Sequence, residues 1–313
     1  MLLSFLLASL FTFVELNCEN LFDTVDDSVK QDDEFLPISA HHWTPYRYWR
    51  KVNRTGQTLL SCAEGNRERH VPDMVALTEV ENDSVLFDLT RRSLLRNAGY
   101  SYLITHGPDV RGINVALLYS PFAFRLISSY SLRVALPSGV RPTRDILYAS
   151  GMVATGDTLH VFVVHAPSRA GGEAFTQPLR IRVAERLRTS VDSIRQLSSQ
   201  ARIIIAGDFN DYTRDKSIQL LTNSGLVDIS NGANGQNGAR GTYRYHGEWG
   251  SLDHILCDNF TATRSTGCHI NDASFLLEED KKYGGVKPRR TYLGPRYLGG
   301  FSDHLPLVAY FEF

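Results

Sequence analysis

Asp208 and Asn210 stand two residues apart in the segment Arg202–Asp211, RIIIAGDFND. The three isoleucines read as a short buried strand. Gly207 lets the chain turn sharply, so a carboxylate and an amide leave the strand end together. Oxygen donors fixed in this way suit a hard cation such as magnesium and can orient a water. An ordinary turn uses the same residues, so the segment gains weight only if the chain supplies further acids, a base and phosphate donors.

It does. Polar residues follow apolar runs at Asn17, Glu79, His165, Asp253 and the pair Asp303-His304, making six such places with Asp208 and Asn210. One could be chance; six predict convergence on a shared sheet edge. His165 opens HAPSR, which adds Arg169 and runs into Gly171-Gly172, and Arg111 precedes Gly112 in a turn. A nucleophile elbow, a P-loop and GxGxxG are all missing, which removes support for a serine hydrolase, an NTPase or a dinucleotide enzyme. Acids, amides and two histidines fit metal-assisted hydrolysis of a phosphoester.

The elements that must carry these groups are strands over Phe11–Asn17, Met74–Leu77, Tyr102–Thr105, Ile113–Tyr119, Phe122–Leu136, Ile146–Ala154, Leu159–Val164 and Leu305–Phe313. Thr242–Tyr245 and Leu252–Cys257 read as the two arms of one hairpin. Glu15 and Glu19 end the first run. A helix over Trp43–Cys62 presents Arg47, Arg50, Lys51 and Arg54 on its wet face. Asp83 caps a helix with Leu86, Leu89 and Leu95 that stops at Gly99. Pro178 opens a long amphipathic helix with Val183, Leu187, Val191 and Ile194 inward and its arginines in solvent. A short helix surrounds Ile218–Leu221. Asn231–Gly241 reads as a mobile surface loop, and Lys281–Arg296, with Arg290, as a basic one.

With 313 residues and 42% hydrophobic content, the chain can build a sizeable core. Its 33 basic and 34 acidic residues give a formal charge of −1, so a polyanion must be met locally. Cys18, Cys62, Cys257 and Cys268 are scattered, neither a zinc framework nor a disulfide scaffold. Residues 1–10 form an apolar lead-in that fits either a clipped export signal or the start of the first strand, and it is too short for a membrane span. Either a cytoplasmic or an exported protein is compatible with it. Without repeats or linkers, residues 11–313 read as a single domain.

The ordered motifs LNCEN (Leu16–Asn20), LTEVEN with Glu79, RGINVALLY (Arg111–Tyr119), HAPSR, GDFN, SLDHIL (Ser251–Leu256) and SDHLPL (Ser302–Leu307) resemble the endonuclease/exonuclease/phosphatase superfamily. Its members include deoxyribonuclease I, abasic-site endonucleases, inositol-polyphosphate 5-phosphatases and bacterial sphingomyelinases. The resemblance implies a four-layer α/β/β/α sandwich of two packed, largely antiparallel sheets. It implies Mg2+, with Mn2+ as a substitute, held chiefly by Glu79 with Asn17 and Asp303 nearby. Asp208 would orient or deprotonate the attacking water, and Asn210 would hold a phosphate oxygen. His304, paired with Asp253, would donate to the phosphoryl group, with His165 at the phosphate or leaving group. Arg111, Arg169 and Arg290 would bind phosphate. Asn114 stands where the family often has an acid, and its role is open.

The resemblance leaves the substrate wider than the reaction. The expected activity is that of a phosphodiesterase or nuclease on nucleic acid or a nucleotide-like ester, acting as a monomer. A phosphatase for inositol phosphates or other small monoesters is the alternative, although the 5-phosphatase signature around Glu248–Asp253 lacks its Pro and Cys. A sphingomyelinase would show an aromatic lipid-insertion hairpin, and no clear one is legible. A non-catalytic binding protein on this fold would ordinarily have lost an acid or the Asp-His pair, and none is lost here.

Overall fold

The isoleucine triplet explains the layering. In the computed structural model, which describes residues 10–63 and 71–313, Ile204 points into the core between two sheets, while Ile203 and Ile205 point out under helices. Alternation along a strand forces this split. Phe11 and Phe13 against Val14 and Leu16 repeat it in the other sheet.

In chain order the strands are β1 (Leu10–Leu21), β2 (Met74–Val80), β3 (Ser101–Ile104), β4 (Asn114–Tyr119), β5 (Arg125–Leu132), β6 (Ile146–Met152), β7 (Thr158–His165), β8 (Arg202–Asp208), β9 (Val227–Asp228), β10 (Tyr243–Tyr245), β11 (Glu248–Gly250), β12 (Asp253–Cys257), β13 (Ser265–Ile270), β14 (Leu277–Glu279), β15 (Val286–Pro288), β16 (Tyr292–Leu293), β17 (Arg296–Tyr297) and β18 (Leu307–Glu312). One six-stranded sheet runs β13-β18-β1-β2-β4-β3, the other β5-β6-β7-β8-β12-β9. Each has a single parallel pair, β1 with β2 and β7 with β8. Helix α1 (Pro45–Ser61) and the short α2 (Asp83–Phe87) cover the first sheet; α3 (Glu173–Leu197) and α4 (Lys216–Asn223) cover the second. This is the expected four-layer α/β/β/α sandwich.

Several local expectations change. Glu15 does not end β1: it lies inside the strand, fully buried, its two carboxylate oxygens without a hydrogen-bond partner. Burial, then the charges of Asp253 and Asp208, push its carboxyl well above the usual range. Asn82, not Asp83, caps α2 by accepting the Val85 N–H, and the helical backbone ends at Arg92, before Leu95. Helix α3 starts at Glu173, so Pro178 lies in its second turn.

Two basic residues assigned to solvent are buried. Arg180 donates to Asp211 Oδ1 at 2.6 Å and to Glu173 Oε1 at 2.6 Å. Lys51 donates to Thr291 Oγ1 at 2.7 Å and to the Phe301 carbonyl, with Glu19 3.9 Å away. Asp211, Thr291 and Phe301 lie far along the chain, where helical periodicity gives no hint of them; Glu173 is seven residues away on the same helix.

The loop hairpin is also different. β10 pairs with β11 through the turn His246-Gly247, whereas β12 joins the second sheet between β8 and β9. Both turn residues have positive φ, 49° and 88°, the signature of a two-residue hairpin turn. The Gly- and Asn-rich loop folds around buried Asp272, whose carboxylate accepts the N–H groups of Gln236, Asn237 and Ala239. The apolar lead-in, apart from Leu10, lies outside the described residues. No helix among the described residues is long and apolar enough to cross a membrane. All four cysteines are free thiols.

Candidate active site

Strand register brings the acids and a histidine together. His165 at the end of β7 is level with Asp208 at the end of β8, and Asp208 is level with Asp253 at the start of β12. In the other sheet, Asn17 on β1 is level with Thr78 on β2. An irregularity there, with Glu79 at φ 59°, turns the Glu79 side chain towards the cleft. β18 runs antiparallel to β1, so Asp303 and His304 arrive beside the β1 end. Gly207 (φ 145°) is required at its place because a Cβ there would collide with the Val164 carbonyl.

The resulting cleft of about 650 Å³ is lined by Glu79, Asp208, Asn210, Asp303, His165 and His304, with Arg111, Arg144, Arg169 and Arg290 among its basic residues. Asn17 and Asp253 sit behind them. Asn17 Nδ2 donates to Asp208 Oδ2 at 3.0 Å, and its oxygen accepts the Glu19 N–H, leaving one lone pair. Asn210 donates from its backbone N–H to Asp208 Oδ1 at 2.7 Å and from its side chain to the Ala166 carbonyl at 3.1 Å. Burial, then the charge of Asp253, push Asp208 up to about 7 against the pull of His304 and the Asn210 N–H. A carboxyl near neutrality is suited to taking a proton from water.

His304 Nδ1 donates to Asp253 Oδ2 at 2.7 Å, and the Thr242 hydroxyl donates to the same oxygen. Burial alone would lower the His304 pKa; the Asp253 charge and hydrogen bond outweigh it and hold it well above its usual value. His165 is opposite in character. Burial, then Arg144, holds it well below the ordinary value, so it is neutral at pH 7. Its Nε2 lies 3.4 Å from Arg144 Nη2, 3.6 Å from Asp208 Oδ2 and 3.7 Å from Glu79 Oε1.

The arginines are unequal. Arg169 faces Asp211 at 3.1 Å, Asp215 at 2.8 Å and Glu173 at 2.7 Å, so its charge is already neutralised by the protein. Arg290 bridges Asp303 at 2.9 Å and Glu19 at 3.4 Å. Arg111 is half-exposed, 3.7 Å from Asp109. Arg144 is the cation that strand-end reasoning missed: it is buried, and its Nε makes no hydrogen bond but lies 3.5 Å from Asp109 Oδ2. It precedes β6, which runs antiparallel to β7, so a strand start delivers it to the same edge. The open role of Asn114 resolves as scaffolding: it accepts the Gly107 N–H and donates to the Glu81 and Gly112 carbonyls.

Glu79, Asp303 and Asp208 line the cleft with Asn17 behind them, and their oxygens are donors of the kind a hard divalent cation takes. Burial and then the charge of Asp253 raise Asp208, and such an ion would offset both by stabilising its charged form. Asp208, Asp253 and His304 also bring ligand-type atoms within 4.8 Å of one another. Asp253 Oδ2 accepts from both Thr242 and His304 Nδ1, a tie that suits the pair to proton transfer.

Comparison with solved structures agrees with this arrangement at the level of the fold. An endonuclease/exonuclease/phosphatase family protein from Bacteroides thetaiotaomicron superposes with a TM-score of 0.62 at 15% identity, covering 96% of this chain and 97% of that one. A mannosyl-6-phosphatase from the same organism gives 0.63 at 14%, covering 96% and 98%. The human nocturnin catalytic domain, solved with a bound sulfate anion, gives 0.58 at 17%, covering 97% and 94%. No curated protein matches. The sequence model of the Endonuclease/Exonuclease/phosphatase family matches residues 12–312; with nearly the whole chain spanned by it, this protein belongs to that family.

Proposed function

We propose that the protein is a magnesium-dependent phosphodiesterase acting on nucleic acid or a nucleotide-like ester, with Mn2+ able to replace Mg2+. The observation that carries this reading is the pair His304–Asp253 set directly beside Asp208 at a cleft that Glu79 and Asp303 also line. Asp208, fixed by Asn17 and Asn210, accepts the proton of an attacking water. His304, held protonated by Asp253, donates from its remaining ring nitrogen to the phosphoryl group. Neutral His165 offers a hydrogen bond, and Arg144 beside it adds positive charge shared with one carboxylate, Asp109 at 3.5 Å, where Arg169 is held by three. A cation bound at Glu79, Asp303 and Asn17 would neutralise charge on the phosphoryl oxygens as the leaving bond breaks.

The test is a panel of single- and double-stranded DNA, RNA, inositol phosphates and sphingomyelin, each with magnesium and with chelator. Chelator-sensitive cleavage of DNA or RNA is the expected result; turnover confined to monoesters would replace the reading with a phosphatase. Glu79→Gln should raise the magnesium concentration needed for half-maximal rate. An unchanged titration would remove Glu79 from the ligand set.

A further inference from the structure

We infer that Tyr245 closes the cleft end of a pre-built aromatic stack that receives an unpaired nucleobase next to the scissile phosphate. This rests on the phosphodiesterase reading and narrows it to single-stranded nucleic acid.

The stack has two different ends. The Tyr245 and His246 rings lie 4.1 Å apart between centroids and within 12° of parallel. Beyond His246, the Tyr283 ring follows at 6.2 Å and 29°. Lys282 Nζ lies 4.6 Å from the Tyr283 centroid and occupies that ring as a cation–π partner. At the other end Tyr245 lines the catalytic cleft, 59% exposed. Such a large exposed ring adds nothing to the core, but it is what a stacking partner requires.

The platform is rigid before any ligand arrives. Arg244 donates to the Gly247, Gly284 and Val286 carbonyls and lies 3.5 Å from Asp280, so it ties the β10–β11 hairpin to the β14–β15 hairpin. Gly247 is close to Tyr283: a Cβ there would sit 2.7 Å from the Tyr283 Cβ. Rings already held in place lose little freedom on binding.

Position relates the stack to the reaction. Tyr243, two residues earlier on the same strand face, lies 4.9 Å from the His304 ring. Tyr245 is therefore about 7 Å further along the strand, flanking the reacting group and not covering it. A saturated polyol such as inositol has no π-face to offer there, whereas every nucleobase does. With a formal charge of −1, the chain has little general attraction for a polyanion, so stacking is the affinity term that the site can supply.

The test uses the full chain, a single-stranded oligonucleotide containing 2-aminopurine, and chelator to stop turnover. Wild type should bind and quench the probe. Tyr245→Ala should weaken binding roughly tenfold or more, in the range of one base–aromatic stack, and Tyr245→Phe should retain it. With magnesium, wild type should show a lower KM for a base-bearing strand than for an abasic strand of equal length, and Tyr245→Ala should bring the two together. Unaltered probe binding by Tyr245→Ala, or no binding by wild type, overturns the stack. Binding and quenching without cleavage of either strand leaves the stack standing and overturns the phosphodiesterase reading instead.

Discussion

Two histidine–aspartate pairs share strand β12, and only one of them faces the cleft. Asp253 holds His304 Nδ1 at 2.7 Å on the cleft side. The next residue, His254, points to the opposite face and meets Asp228 through Nδ1 at 2.9 Å. Both imidazoles are buried, and both are shifted towards the charged form. They differ at the second nitrogen. His254 Nε2 is spent on the Asp211 carbonyl at 2.9 Å, whereas His304 lines the cleft with Nε2 to offer. Composition and pKa direction are therefore shared, and only an uncommitted donor separates a proton-transfer pair from a brace. The brace still matters: Asp211 closes the GDFND turn, and its carboxylate is gripped by Arg180 at 2.6 Å and Ser217 at 2.6 Å.

The comparison breaks most readily at the cleft. His304→Ala should lower kcat by about three orders of magnitude with an unchanged denaturation midpoint; near-wild-type turnover would make the two pairs equivalent. Asp253→Asn keeps a hydrogen-bond acceptor but removes the charge that holds His304 protonated. It should cost about a hundredfold in kcat and shift the basic limb of the pH–rate profile to lower pH. A profile that keeps its wild-type basic limb would dissociate Asp253 from the protonation of His304.

Much of this arrangement is legible in the sequence because apolar runs followed by a polar residue mark strand ends, and parallel or level neighbours place those ends together. That logic found Glu79, His165, Asp208 and Asp303. It could not find Arg144, because a strand start reaches the same edge only when its neighbour is antiparallel. It misplaced Glu15, since a lone acid in an apolar run reads as an end, whereas the fold buries it without a partner. Lys51 and Arg180 read as solvent-facing because their partners, Thr291 and Asp211, lie well outside any helical window. The β10–β11 hairpin does have a sequence signal, Gly247 in a two-residue turn between aromatic arms, but the apolar run of β12 competes for the role of second arm. Adjacent Asp253 and His254 look like a pair on paper, yet strand alternation sends them to opposite faces.

The smallest effect on turnover, and the sharpest contrast, belongs to the brace. His254→Gln should leave kcat within a few fold of wild type but lower stability by about 3 kcal/mol, because Asp228 is left buried without its cation. Its pH dependence has a definite sign. Burial would lower the His254 pKa, but the hydrogen bond to Asp228 and its charge outweigh this and raise it. A raised imidazole contributes fully below its unfolded value of about 6.5; that contribution fades as pH rises and is gone above the folded pKa. Burial likewise opposes the Asp228 shift, yet the His254 and Ser230 hydrogen bonds lower that carboxyl, so its share is lost only under acid. Urea unfolding at pH 5.5 and 8.5 should therefore show wild type losing more stability than His254→Gln between the two. Equal losses would mean that the outer pair is not charged in the folded protein, and that a charged imidazole is confined to the cleft.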